Sequence, residues 1–198
     1  MKLIVRVFNA KDYSLEFLLA NSYLKDSDKV ETNRYKVEET KKEKIISAIL
    51  KNKYIGEYHE NEFGKHLSND KHFNVSHSHG LVVFVMDEVP VGIDIEKSKI
   101  IDKNMVNFIS NDAEKAYISD EKSFFEIWTN KESLVKALGS GLKGQVKDIP
   151  GLPINGKRVF EGKTFVSRTI EFKDFIISVT REKDEDFDLE LVEESIPL

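Results

Sequence analysis

The chain contains no cysteine. Disulfides and thiolate metal sites are therefore excluded, and the cytoplasm is the expected compartment. Proline occurs only four times, and no Pro- or Ser-rich stretch reads as a linker. No run approaches the roughly 18 apolar residues of a membrane span. The N-terminal run Met1 to Phe8 has Arg6 inside it and no small-residue cleavage site, so it reads as a first strand and not as a signal peptide.

What is present fits a folded, water-soluble chain. Its 198 residues are 40% hydrophobic and 33% charged, enough for one sizeable domain or two small halves with a shared core. The net charge of −5 is unevenly spread. Residues 34–54 hold seven Lys or Arg against three Glu, whereas residues 182–194 hold eight acids and one lysine. A basic segment in an acidic chain points to a local anion site, with neither nucleic acid nor membrane as a partner.

Alternation of Leu3, Val5 and Val7 predicts a half-buried strand. Ser14 is placed to cap a helix running to about Leu24. A charged helix is expected over 38–53, burying Ile45, Ile46, Ile49 and Leu50, followed by a polar stretch of little periodicity over 56–72. Strands are expected over 73–76, 81–86 and 91–96, with a turn at 87–90. Helices follow near 103–117 and 121–138, the second ending at Gly139. Strands over 164–172, 175–181 and 189–193 close the chain. Helices mixed with short-linked strands in each part predict an α+β fold with antiparallel sheets.

Three segments carry candidate chemistry. In Gly92-Ile93-Asp94-Ile95-Glu96 the two acids lie two apart on a strand and share a face, with the isoleucines on the other. Paired carboxylates suit a hard cation such as Mg²⁺, although acid–apolar alternation is also common on exposed strands. In the stretch 124–142, Glu132 and Lys136 are i,i+4 on a helix anchored by Phe124, Phe125, Trp128 and Leu134. Alone, they also read as an ordinary surface pair. In Phe73-Asn74-Val75-Ser76-His77-Ser78-His79-Gly80 the histidines suit a phosphate, a zinc ion or merely a serine-capped turn. His59, His66 and His72 are read as surface residues.

Together and in this order, the three segments resemble the Sfp-type 4′-phosphopantetheinyl transferases. That family carries F-N-x-S-H-S, then G-I-D-I-E, then W-x-x-K-E-x-x-x-K-x-x-G-x-G-L, matched here by Phe73 to Ser78, Gly92 to Glu96 and Trp128 to Leu142. The likeness is dense over about residues 63–142. Three departures stand out. His79 replaces a glycine that follows S-H-S. Gly64-Lys65-His66 replaces G-K-P. A basic position at the end of the N-terminal helix falls near Asn52, flanked by Lys51 and Lys53.

The resemblance implies two similar α+β halves, 1–90 and 91–198, related by a pseudo-twofold axis with the active site in the cleft between them. It implies a monomeric, Mg²⁺-dependent enzyme that moves the 4′-phosphopantetheine group of coenzyme A to a serine of an apo acyl or peptidyl carrier protein, releasing 3′,5′-ADP. The metal would be held by Asp94, Glu96 and Glu132. Asp94, Glu132 and Lys136 would serve catalysis, with Glu132, or a water relayed by Glu132 or Lys131, taking the serine proton. Ser76 and His77 would contact the 3′-phosphate with Lys65 assisting, Lys36, Lys51 and Lys53 would add phosphate contacts, and Glu114 would lie near the metal. The carrier is expected to dock by an apolar contact near Met105, Phe108 and Ile109, rimmed by Lys143 and Lys147. The rival readings are a non-catalytic module that binds coenzyme A or a carrier, and a zinc hydrolase built on His77, His79 and Asp94.

Overall fold

The structure is a computed structural model that describes residues 1–141 and 144–198. Leu142 and Lys143 therefore lie outside the described residues. Among those described, the strands form two four-stranded sheets and a small hairpin. The first sheet contains β1 (Lys2–Asn9), β4 (His72–Ser78), β5 (Leu81–Asp87) and β10 (Asp188–Glu193), in the order β10-β1-β5-β4. The second contains β6 (Val91–Lys97), β7 (Gly156–Phe160), β8 (Lys163–Phe172) and β9 (Phe175–Arg181), in the order β6-β9-β8-β7. Strands β2 (His59–Glu60) and β3 (His66–Leu67) pair with each other inside the stretch expected to be irregular. The helices are α1 (Leu15–Leu19), α2 (Asp26–Thr32), α3 (Glu38–Tyr54), α4 (Lys103–Ile109), α5 (Asp112–Tyr117) and α6 (Glu121–Leu138).

The α+β expectation holds, with one exception to the antiparallel rule: β10 runs parallel to β1. The acidic C-terminal tail thus returns to the N-terminal sheet, and Ile196 beyond it is buried with Phe8, Ile45, Ile49 and Phe84. The turn at 88–90 does not close a hairpin. It carries the chain from β5 in one sheet to β6 in the other.

Period-two patterning makes the layers. Val5, Val7, Val83 and Val85 of the first sheet share one apolar cluster with Val91, Ile93, Ile95, Ile177 and Val179 of the second. Alternate residues Phe8, Val82 and Phe84 face the other way, onto Ile45, Ile46, Ile49 and Leu50 of α3. Burial of these side chains is the main stabilising term, on the order of 2 kcal/mol for each large aliphatic residue. Asp87 and Arg181 form a fully buried ion pair between β5 and β9. Breaking such a pair from one side strands a charge in the core.

Helix α6 meets the second sheet through hydroxyls as well as through hydrocarbon, Leu134 packing with Phe165 and Phe124 with Ile176. Thr129 and Ser133 bond to Ser178 (2.7 Å) and Thr180 (2.8 Å), while Asn130 donates to Thr169 (2.9 Å). These short side chains let the helix backbone approach closely. A Cβ built on Gly92 of β6 would lie 2.1 Å from the Ser133 carbonyl oxygen and 2.4 Å from the Ala137 nitrogen. The helix starts at Asp120, whose side chain accepts from Ser123 N–H at 2.8 Å, and stops at Gly139 with φ 74°.

At the β4–β5 turn, His79 has φ 48° and Gly80 φ 88°. Two left-handed residues in succession match the twist of a two-residue hairpin, and the first of them is the position where the resembling family carries glycine. Left-handed backbone costs a β-carbon residue about 1 kcal/mol. We expect His79→Gly to raise the free energy of unfolding by about 1 kcal/mol, less whatever the freer unfolded chain takes back, read from urea denaturation. An unchanged or lower midpoint would show that the histidine side chain supplies more than the strain removes.

Candidate functional site

Three elements converge beside a cleft of about 870 Å³, whose lining includes Ser76 and Lys136 but not Asp94, Glu96 or Glu132. Strand β6 presents Asp94 and Glu96 on the face opposite buried Ile93 and Ile95, as alternation requires. Helix α6 presents Glu132 and, one turn later, Lys136. Strand β4 presents Ser76. Lys136 Nζ lies 2.6 Å from Asp94 Oδ1 and donates to Ser76 Oγ at 3.1 Å, and Ser76 Oγ donates to the same Asp94 oxygen at 2.9 Å. Ser78 Oγ donates to Glu96 Oε2 at 3.1 Å.

The electrostatics of this cluster are those of crowded anions. Burial, then the neighbouring Asp94, pushes the Glu96 carboxyl above the usual range, only partly offset by the Ser78 hydrogen bond. Burial and Asp94 also push Glu132 up, against the pull of Lys136. The second oxygen of Asp94 is buried and has no hydrogen-bond partner. Among the described residues no three His, Cys, Asp or Glu side chains are drawn together tightly enough to hold a metal ion as they stand. Lys136 is the cation that now faces Asp94.

Apart from Val135, Gly139 and Gly141, the rest of the cleft belongs to the first half of the chain. His77, Lys65, Lys51 and His66 line it, as do Arg34, Tyr35 and Lys44. His77 Nδ1 lies 2.9 Å from Glu43 Oε2. Lys51 Nζ is 3.0 Å from His66 Nε2, and burial together with that ammonium pulls the His66 imidazole down to about 4. His66 is therefore a neutral wall of the cleft and not the surface residue expected. Lys65 reaches across to donate to the Ala137 carbonyl at 2.9 Å, and burial lowers its ammonium to about 8. With Asn61, which donates to the Gly139 carbonyl at 2.8 Å, it caps the C-terminus of α6 from the opposite half.

Two of the expected phosphate contacts lie away from the cleft lining. Lys36 is exposed in the chain leading to α3, and Lys53 donates to the Tyr23 hydroxyl at 2.5 Å. Helix geometry separates Lys53 from Lys51: two residues are about 200° around an α-helix. Arg34, Tyr35 and Lys44 escaped sequence reasoning because no motif marks them. The only available signal was the basic bias of residues 34–54.

Glu114 is engaged elsewhere. It is buried against Lys131 (2.7 Å) and accepts from Gly151 N–H (2.6 Å) and Asn111 N–H (2.9 Å). Lys131 also donates to the carbonyls of Ile109 (2.8 Å) and Val146 (3.1 Å). All three of its protons are used, so it ties α4, α5 and the segment after α6 to the helix and is no proton relay. His79 lies in the turn, with its ring 3.0 Å from Ser78 Oγ, and does not share a strand face with His77. That removes the geometry on which the zinc alternative rested.

Residues 90–187 match the family described as the 4′-phosphopantetheinyl transferase superfamily. These residues belong to that superfamily. Among its curated relatives, the chain is 42% identical over 92 residues to the 4′-phosphopantetheinyl transferase gsp of Aneurinibacillus migulanus, covering 43% of this chain and 39% of that protein. It is 38% identical over 79 residues to 4′-phosphopantetheinyl transferase Sfp of Bacillus subtilis strain 168, covering 37% and 35%. It is 36% identical over 96 residues to the L-aminoadipate-semialdehyde dehydrogenase-phosphopantetheinyl transferase of Schizosaccharomyces pombe, covering 39% and 37%. The aligned stretch thus spans well under half of each relative's length. The superfamily match takes in β6 and α6, the two elements that carry Asp94, Glu96, Glu132 and Lys136. Ser76, His77 and the helix α3 wall lie before it.

Proposed function

We propose that the protein transfers the 4′-phosphopantetheine group of coenzyme A to a serine of an apo carrier protein, releasing 3′,5′-ADP. The observation that carries this reading is the meeting of Asp94, Lys136 and Ser76 at the end of a cleft lined by Arg34, Lys44, Lys51 and His77. Such a cleft suits a ligand whose phosphates run along a basic wall to a pyrophosphate that reacts at the Asp94–Lys136 end.

The carboxylates fit a resident magnesium ion. Asp94 has a buried oxygen in want of a partner, Glu96 and Glu132 are held in unfavourable charge proximity, and oxygen donors suit a hard divalent cation. Asp94, Glu96 and Glu132 would hold it. When bound, the ion supplies charge neutralisation at the pyrophosphate.

The chain's own residues account for the rest. Phosphoryl transfer asks mainly for position and for positive charge near the leaving group. Ser76 and His77 contact the 3′-phosphate, and the Arg34, Lys44 and Lys51 side chains face the remaining charge. Lys136 turns from Asp94 to a pyrophosphate oxygen and neutralises the departing ADP. The carrier serine oxygen attacks the phosphorus nearer pantetheine, the bond to the ADP phosphate breaks, and the serine proton leaves to Glu132 or to a water that Glu132 orients. A raised carboxyl pKa favours that role.

Helix α4 supplies the docking face for the carrier. Phe108 is 72% exposed, Met105 46% and Ile100 91%, whereas Ile109 is core. Gln145, Val146 and Lys147 adjoin Phe108. Among the described residues no helix is long and apolar enough to cross a membrane. The protein acts as a monomer in the cytoplasm, both walls of the cleft coming from one chain.

The test is incubation with coenzyme A, Mg²⁺ and a panel of apo carrier proteins, followed by intact mass. One phosphopantetheine added to a carrier is expected. Binding of coenzyme A with no mass change on any carrier would leave only the binding-module reading. Phe108→Asp should raise the carrier KM at least tenfold with little effect on the coenzyme A KM. The wild-type carrier KM should vary little with salt, because an apolar contact is not screened. A steep salt dependence with an unaffected Phe108→Asp variant would move docking to a charged surface.

A further inference from the structure

Glu43 is the buried acid of the cleft wall that none of the motifs marks. It projects from α3, is 4% exposed, and has both oxygens committed. Oε2 faces His77 Nδ1 at 2.9 Å, and Oε1 accepts the Gly80 N–H at 2.5 Å. Burial alone would raise this carboxyl, but the hydrogen bonds from His77 and Gly80 outweigh it and hold it below the usual value. The acceptor is thus an ionised carboxylate that cannot rotate without losing one bond. Its partner His77 sits on β4 with its side chain 23% exposed, lining the cleft.

We infer that Glu43 is a positioning residue: it accepts the His77 Nδ1–H and so turns Nε2 into the cleft, where the doubly protonated ring donates Nε2–H to the 3′-phosphate. The inference rests on the proposed use of coenzyme A. A histidine ring has two orientations and two neutral tautomers, and a cleft histidine without a fixed neighbour samples several of them. An acceptor fixed on Nδ1 removes that freedom, as carboxylates do for histidines in metal and triad sites. Because the same carboxylate ties down the Gly80 amide, the β4–β5 turn and the histidine are held by one side chain. The predicted consequence is specificity: Glu43 sets how strongly the cleft prefers a ligand that carries a 3′-phosphate over one that lacks it.

Calorimetric titration of the full chain with coenzyme A and with 3′-dephospho-coenzyme A tests this without requiring turnover. Wild type should bind coenzyme A more tightly. Glu43→Gln has one acceptor oxygen for two donors, so it should weaken coenzyme A about tenfold and dephospho-coenzyme A no more than twofold. In a His77→Ala background the same change should add less than twofold, because nothing remains to be positioned. Equal losses for both ligands, or a full tenfold loss in the His77→Ala background, would make Glu43 a fold residue only and overturn the inference. If wild type binds neither ligand, the transferase reading itself fails, which is a separate result. Nitrogen-15 spectra of the unaltered protein give a second measurement should Glu43→Gln fold poorly. With coenzyme A bound, His77 is expected to carry one proton on Nδ1, toward Glu43, and one on Nε2, toward the ligand. A bare Nδ1 overturns the proposal.

Discussion

Glu132→Gln is expected to lower turnover by about 10³-fold at saturating Mg²⁺, the size of loss that follows removal of one electrostatic group at a phosphate or oxyanion site. The substitution keeps shape and removes only charge. Glu132 lies one turn before Lys136 on α6, facing Asp94 and Glu96 of β6. In the proposed reaction it is both a metal ligand and the group nearest the serine proton, so two functions are lost together.

The same variant has a stability signature of opposite sign. Burial and Asp94 raise the Glu132 carboxyl in the folded state above its value of 4.5 in the unfolded chain. The folded protein therefore binds more protons than the unfolded one across the window from 4.5 up to the raised value, and this group's contribution to stability falls as pH rises through it. Above the window the ionised Glu132 works against the fold. Glu132→Gln should then be more stable than wild type at pH 7 without metal, and the difference should close below pH 4.5. Magnesium should reverse the order, because an ion that binds only the folded wild type raises its melting temperature by mass action. Melting curves at two pH values, with and without Mg²⁺, check all three statements. Turnover within tenfold of wild type, or equal Mg²⁺ stabilisation of both proteins, would remove Glu132 from the site.

The sequence was most legible where one periodicity ruled without competition. Helix α3 was readable from Ile45, Ile46, Ile49 and Leu50, all of them fully buried. The helix begun at Ser14 stops at Leu19, not Leu24, because Asn21 spends its side chain on the Tyr23 N–H and the Pro197 carbonyl. An Asn that bonds nearby backbone competes with the helix, and its tail partner is remote in sequence. Helix α2, Asp26 to Thr32, has no apolar stripe to announce it, and the expected helix over 103–117 is two helices, broken where Asn111 caps the second. Strand β7 was missed because its buried residue is Arg158, which donates to the Pro150 and Pro153 carbonyls. In the site, Asp94, Glu96, Glu132 and Lys136 were readable as motif residues. Glu43 and Lys44 were not, since only the packing of α3 against β4 and β5 gives them a place, and neither were Arg34 and Tyr35, which lie in the connection between α2 and α3.

Gly92→Ala should be the most damaging single-methyl change in the protein. The added carbon would sit 2.1 Å from the Ser133 carbonyl oxygen, 2.4 Å from the Ala137 nitrogen and 2.9 Å from the Lys136 carbonyl carbon. All three are backbone atoms of α6, so no side chain can swing aside. The helix must lift from β6, stretching the hydroxyl bonds of Thr129 and Ser133 to the sheet. Overpacking of this kind costs about 3 kcal/mol. The functional loss should be larger than stability explains. Asp94 lies on β6 and both Glu132 and Lys136 on α6, so lifting one element from the other opens the 2.6 Å contact between Asp94 and Lys136. A misplacement of about 1 Å at a reacting centre lowers rates by about 10²-fold. Ile93→Val is the control. It removes one buried methyl group from the opposite face of the same strand at a cost of about 1 kcal/mol and leaves the helix–strand approach intact, so its turnover at a temperature where it is folded should stay within a few-fold of wild type. Denaturation midpoints and turnover measured on both variants separate the two effects. If Gly92→Ala is as stable and active as Ile93→Val, the close approach of α6 to β6 is not what holds the carboxylates and Lys136 together.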